Sequence, residues 1–352
     1  MNARRSLVFG LLFGLLIASD HPCLAGKGGD RVEEAAATLS RLQGANATIT
    51  YDEARSDRAV IGLDIWKSNL SDFDLRLLRD FPGLHRLSLL DVKVCDKDLY
   101  YIGQLRSLRE LYINSKDSKI SDAGVKQLRQ LSQLEHLSLL NADVSDEGLQ
   151  FISGLVRIHS LDLAGGGRLT DASVACFKAM TQMKYLNLGG SNLTDSGLAA
   201  LAEFKSIENL GLCGTHVTDA GLAYVTRLTK LREIDFSYTS VGDAGLKQLR
   251  GSTKLRFLHL AHSRVTDAGL EYLRGQKTLE ILNLGDTRVT DLGLLKLRNL
   301  SRLKVVVIQG TQVTDVGVTE FQRALPGVQV VWNATGSEKQ AIPKANHSRD
   351  FR

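Results

Sequence analysis

Leu255-Arg-Phe-Leu-His-Leu-Ala-His-Ser-Arg-Val-Thr-Asp-Ala-Gly-Leu-Glu-Tyr-Leu273 decides the fold of this 352-residue chain. Leu258-His-Leu260 alternates apolar and polar like a short strand. Ser263 sits in the turn that follows, and Val265 returns to the core. Thr266-Asp267 opens a helix, with the hydroxyl as N-cap and the acid at the positive helix end. Leu270 and Leu273 then give the helix one apolar face. The same block recurs at Val217–Leu222, with variants at Val241–Leu246 and Val289–Leu294.

Outward from this unit, the leading apolar positions are Leu84, Leu108, Leu134, Ile158, Met183, Ile207, Leu231, Leu255, Leu279 and Leu303. Their spacing is about 24 residues, the mark of a solenoid. With a partial first unit near Val60 there are about eleven copies. Two are longer: the unit at Leu108 carries Ser115–Lys119, and that at Ile158 carries Gly165-Gly-Gly167. The fold class is therefore α/β, a solenoid with a parallel sheet on a concave face and helices on the convex face. The recurrent glycines 221, 245, 269, 293 and 317 are expected where adjacent helices approach closely. The turn hydroxyls at 191, 215, 239, 263, 287 and 311 are expected to bond the next coil.

Residues 1–25 read as a secretory signal peptide. Arg4 and Arg5 precede the apolar run Leu7–Ala18, and small residues stand before a cleavage point after Ala25. Residues 26–58 are expected to form an N-terminal cap, with a helix over 30–43 and a strand over 47–51. The repeat domain spans 59–333 and ends in a cap strand, Val328–Trp332. The polar, aperiodic stretch 334–352 reads as a disordered tail. These features place the protein outside the cytoplasm, periplasmic or extracellular, with no membrane insertion beyond the signal segment.

The formal charge of +5 is contributed partly by the leader and tail, so the repeats are nearly neutral and show no basic stripe for nucleic acid. Cys95, Cys176 and Cys213 fall at three different repeat positions, which argues against a disulfide framework and a zinc site. Phosphate-loop, nucleophile-elbow and zinc-protease motifs are absent, and no cofactor or catalytic residue is expected. The aspartates 219, 243, 267, 291 and 315 recur at a helix start and read as architecture.

The repeat resembles the leucine-rich repeat family. Its Leu-x-x-Leu-x-Leu-x-x-Thr-x-Val-Thr-Asp-Ala-Gly-Leu form is similar to the cysteine-containing subclass of F-box proteins. It is also similar to secreted bacterial proteins of planctomycete type. The resemblance implies a non-catalytic module that binds a protein or peptide. Its F-box branch implies an alternative, a substrate-recognition adaptor in ubiquitin-dependent degradation. Only Cys213 lies near the subclass cysteine, and no F-box-like segment precedes the repeats.

Specificity belongs to the outward strand positions and adjoining turns, where the repeat stops repeating. Tyr112, His136, Asp162, Tyr185, Asn187, Asp235, Phe257 and His259, with Tyr238 and His262 on the turns, are the candidate ligand-binding residues. They mix aromatic anchors with hydrogen-bonding groups, as recognition surfaces do. Asp235 and His259, one repeat apart, are placed to pair.

Overall fold

The computed structural model describes residues 37–40, 42, 47–54, 59–66 and 75–332. The signal-like leader and the tail lie outside them, as does most of the expected 30–43 helix. Within that helix, Leu39 and Leu42 are described and fully buried. The chain forms two compact units: residues up to 166 with 176–182, and 167–175 with the residues from 183 onward. No described helix is long and apolar enough to cross a membrane.

In the first unit, β1 (Thr48–Tyr51) pairs antiparallel with β2 (Val60–Trp66). β3 (Arg86–Leu90), β4 (Glu110–Asn114), β5 (His136–Leu140) and β6 (Ser160–Asp162) then add in chain order, each parallel to the last. The second unit repeats the arrangement with β7 (Tyr185–Asn187), β8 (Asn209–Gly211), β9 (Glu233–Asp235), β10 (Phe257–His259), β11 (Ile281–Asn283), β12 (Val305–Val307) and β13 (Gln329–Val331). All are parallel and in register, so every repeat position is stacked on its equivalent. The expected solenoid is present, with one antiparallel strand at its start.

Short helices return the chain after most strands, such as Asp243–Gln248 and Asp291–Lys296. In the unit quoted above, Leu255, Leu258, Leu260, Val265, Leu270 and Leu273 are all 0% exposed. Each leucine is thus completed by its neighbours above and below, which a single repeat cannot supply. Val313 is half-buried instead, in the last repeat among the described residues.

The recurrent aspartates do more than cap. Asp243 Oδ1 accepts from the Thr266 backbone N–H at 2.8 Å, and its Oδ2 from the Thr266 hydroxyl at 2.7 Å. Thr266 is the N-cap of the next repeat, and its Oγ1 in turn accepts from Ala268 N. The same two-bond link joins Asp171 to Thr194, Asp195 to Thr218, Asp267 to Thr290 and Asp291 to Thr314. In the first unit it joins Asp96 to Ser121 and Asp122 to Ser145. Asp219 faces Gly242 and keeps only the backbone bond. At the C-terminal end Trp332 Nε1 donates to Asp315 Oδ1 at 3.4 Å, in the place of a following threonine. Trp332 lies just beyond β13, so the cap strand is shorter than expected at both ends.

The ladder refines one expectation and corrects another. The recurrent glycines sit where adjacent helices approach closely, as expected, and the nearest atom is a carboxylate oxygen of the neighbouring helix's first residue. A Cβ at Gly245 would stand 2.6 Å from Asp219 Oδ1, and Gly124, Gly148, Gly197, Gly221, Gly269, Gly293 and Gly317 face the preceding aspartate in the same way. The turn threonines bond their own coil rather than the next: Thr215, Thr239, Thr287 and Thr311 donate to the carbonyls of Leu212, Phe236, Leu284 and Ile308 at 2.6–2.7 Å.

Candidate functional site

Strand alternation turns one side chain inward and its two neighbours outward. In β7 to β11 the middle residue is buried and the flanking residues are half-buried. The candidate residues therefore fall into two sets, one in each unit.

In the first unit Tyr112 and His136 lie on adjacent strands, ring centroids 6.4 Å apart. Sequence reasoning omitted the groups that hold them. The Arg86 guanidinium sits 5.0 Å from the Tyr112 ring centre and bridges Asp64 at 3.0 Å and Glu110 at 2.6 Å. Burial, then the Glu110 charge, pushes the Tyr112 hydroxyl up to about 12, so it stays protonated across the physiological range. His159 packs edge-on against His136 with centroids 4.4 Å apart. Asp162 ends β6. Its Oδ1 accepts from Ala164 N at 3.2 Å and shapes the turn after β6.

In the second unit Asn187 and Asp235 hold turns in the same manner. Their Oδ1 atoms accept from Gly189 N at 3.1 Å and Ser237 N at 2.8 Å. Asn283 does the same for Gly285. This position thus has a structural use in several repeats. Tyr185 and Phe257 occupy the outward face at other strands, half-buried.

The expected Asp235–His259 pair is replaced by a diagonal one. His259 Nε2 lies 3.7 Å from Glu233 Oε1, while Glu233 Oε2 accepts from Asn209 at 2.6 Å. Asp235 is instead committed to its turn and acts on His259 only through its charge.

On the turns, Tyr238 stacks on His262 with centroids 4.1 Å apart and ring planes 22° from parallel. His262 Nε2 is 3.0 Å from Asp286 Oδ2. All three have left-handed backbones, with φ of 57°, 53° and 54°. Gly190, Gly214 and Gly310 fill the same position elsewhere. Asp286 escaped the sequence reading, although its signal was visible: a side chain where other repeats put glycine.

The histidines are held in opposite directions. Burial and the His159 ring lower His136. Burial also pulls on His259, but Glu233 and Asp235 outweigh it, and its pKa is raised. The folded state therefore binds the His136 proton more weakly than the unfolded chain. That withdraws stability as pH falls below the usual histidine value of about 6.5. His259 contributes stability that is complete below that value and is lost as pH rises through its folded pKa. An imidazole NMR titration should place His136 below the ordinary range and His259 above it. Glu233→Gln should bring His259 down and leave His136 in place; an unmoved His259 refutes the assignment.

No group of metal-binding side chains occurs among the described residues. The three cysteines are free. Burial, followed by Asp235, pushes the Cys213 thiol up to about 11, so it is not a thiolate nucleophile at neutral pH.

The leucine-rich repeat family model matches residues 179–202, 227–249, 251–273 and 275–297. The fold is a leucine-rich repeat solenoid, and four of its repeats match the family model. Comparison with curated proteins yields no match. Among solved structures, a TDR receptor is similar over 78% of this chain and 47% of its own length, with 16% identity and a TM-score of 0.51. An internalin from Listeria monocytogenes is similar over 87% of this chain and 95% of its own, with 18% identity and a TM-score of 0.48. A leucine-rich repeat protein from Leptospira interrogans shares 17% identity over 72% of this chain and 80% of its own, with a TM-score of 0.42. At such identities the likeness concerns fold alone.

Proposed function

We propose that this leucine-rich repeat protein is an exported, non-catalytic module that binds a protein or peptide on the concave, outward face of its sheet. One observation carries the reading: the outward strand positions change chemistry from repeat to repeat above an inward face that does not. In the second unit they run from Tyr185 and Asn187 through Glu233 and Asp235 to Phe257 and His259, half-buried and uncovered by any other described element. Aromatic anchors among polar groups are the usual makeup of an interaction hot spot. The Glu233–His259 contact ties two of these residues to each other, and burial raises both the Cys176 and the Cys213 thiols, which makes them poor nucleophiles.

Export rests on the signal-like leader. N-terminal sequencing of the mature protein should give a start near Gly26, whereas an intact Met1 refutes cleavage. For binding, partners are captured from the exported fraction on the wild-type protein and on a Tyr185→Ala, Asp235→Ala, His259→Ala variant. Selective loss on the variant is expected, and equal recovery on both rules out the outward face. The F-box adaptor reading has no specific observation in its favour.

A further inference from the structure

We propose that the turn beside Tyr238 is a slot for the guanidinium of an arginine side chain on the partner, stacked on the Tyr238 ring and paired with Asp235. The inference rests on the binding function proposed above and names the chemistry of one contact within it.

The slot follows from the stacking of equivalent turn positions. Successive repeats place them roughly 4.8 Å apart, close to the thickness of stacked planar groups. One face of Tyr238 is covered by His262 at 4.1 Å, and Asp286 closes that end of the row. Its other face looks toward position 214, which is glycine. A Cβ there would meet nothing nearer than the Gly190 backbone at 3.8 Å. Position 190 is glycine as well, so among the described residues the row stops at Tyr238 and leaves the space of one planar group open. Tyr238 is 59% exposed and buries no face in the core. Its ring occupies a backbone conformation that L side chains rarely adopt, which marks it as a position held for a purpose.

Charge selects the occupant. No lysine or arginine stands at the outward positions of β7 to β11, or at the two turn positions after each. Glu233, Asp235 and Asp286 do stand there. Asp235 is directly opposite Gly211 in the sheet, and Asn187 leans across Gly211 from the other side. Asp235 ends the strand that leads into the Tyr238 turn, three residues before the ring. Its Oδ1 is used by Ser237, leaving Oδ2 for a ligand. The slot floor offers little to a polyol, because Gly190 N and Gly214 N donate to the carbonyls of Cys213 and Ser237. A flat cation that stacks on tyrosine and forks onto a carboxylate fits these features better than an ammonium or a neutral ring.

The test titrates the full-length protein with three capped tripeptides, glycine on each side of arginine, citrulline or tryptophan, and follows Tyr238 ring and Gly214 amide signals by NMR. The arginine peptide should shift both signals and bind at least about tenfold more tightly than its neutral citrulline isostere. Tyr238→Ala and Asp235→Asn should each remove that preference. Gly214→Asn should fill the slot and block binding while the thermal melt is unchanged, since asparagine already holds the left-handed turn at Asn141. Equal binding of citrulline, a response to tryptophan alone, no shift with arginine, or full binding by Gly214→Asn would each overturn the slot. Partner capture that survives Gly214→Asn but not the triple alanine variant would overturn the slot and leave the outward-face reading standing.

Discussion

Asp243→Ala is expected to destabilise the protein by about 3–4 kcal/mol, among the largest effects of any surface substitution in it. The carboxylate accepts two charge-assisted bonds from Thr266, at 2.8 and 2.7 Å. Bonds to ionised groups are worth roughly 1.5–3 kcal/mol each, and their donors lose their partner when the acid is removed. The loss also loosens the N-cap of the next helix, because Thr266 Oγ1 is held in place by Asp243 while it accepts from Ala268 N. Urea unfolding followed by circular dichroism gives the cost. Asp219→Ala supplies the comparison. Its only partner in the next repeat is the Gly242 N–H, so its cost should be smaller by about 1.5 kcal/mol. Equal costs at the two positions, or a cost under about 1 kcal/mol at Asp243, would show that the ladder does not bind repeats together.

Gly269→Ala is expected to cost about 2–3 kcal/mol, against the helix propensity that favours alanine over glycine by about 1 kcal/mol. The new Cβ would fall under 3.0 Å from Asp243 Oδ1 and 3.1 Å from Leu246 Cδ1. Overpacking of this kind costs about 1–3 kcal/mol, and here it also drives the carboxylate off Thr266. The decisive measurement is the double mutant. Once Asp243 is alanine, its bonds are already lost and the carboxylate clash is gone, leaving only the flexible Leu246 tip at 3.1 Å. Gly269→Ala should then add almost nothing, giving a coupling energy of about 2 kcal/mol between two residues of adjacent repeats. Additive costs would mean that the glycine is required for a reason unconnected with the carboxylate.

These two residues also show how far the repeat could be read in one dimension. The spacing of Leu258, Leu260, Val265, Leu270 and Leu273 expresses backbone geometry, period 2 then a helical face, and all five are buried as read. The Thr266 N-cap is equally local, since the hydroxyl bonds an amide two residues on. The partners of Asp243 and Gly269 are 23 and 26 residues away. Their recurrence was plain, but recurrence does not state which atoms meet across the stack.

The candidate site was legible to the same depth. Alternation placed Tyr185, Phe257 and His259 outward, and turn position exposed Tyr238 and His262. The partner of His259 was not legible, because side-chain reach selects the diagonal Glu233 over the aligned Asp235. Nor was the turn-holding role of Asp162, Asn187 and Asp235, which depends on where the next two residues bend.

The sequence alone thus determined the repeat, its strand and helix positions, its apolar face and the surface where variation gathers. These follow from short-range geometry multiplied by a fixed period. Tertiary structure alone decided the aspartate-to-threonine ladder, the carboxylate that each glycine accommodates and the open end of the Tyr238 stack. Those depend on distances between successive coils, and such distances exist only once parallel strands have set the repeats in register.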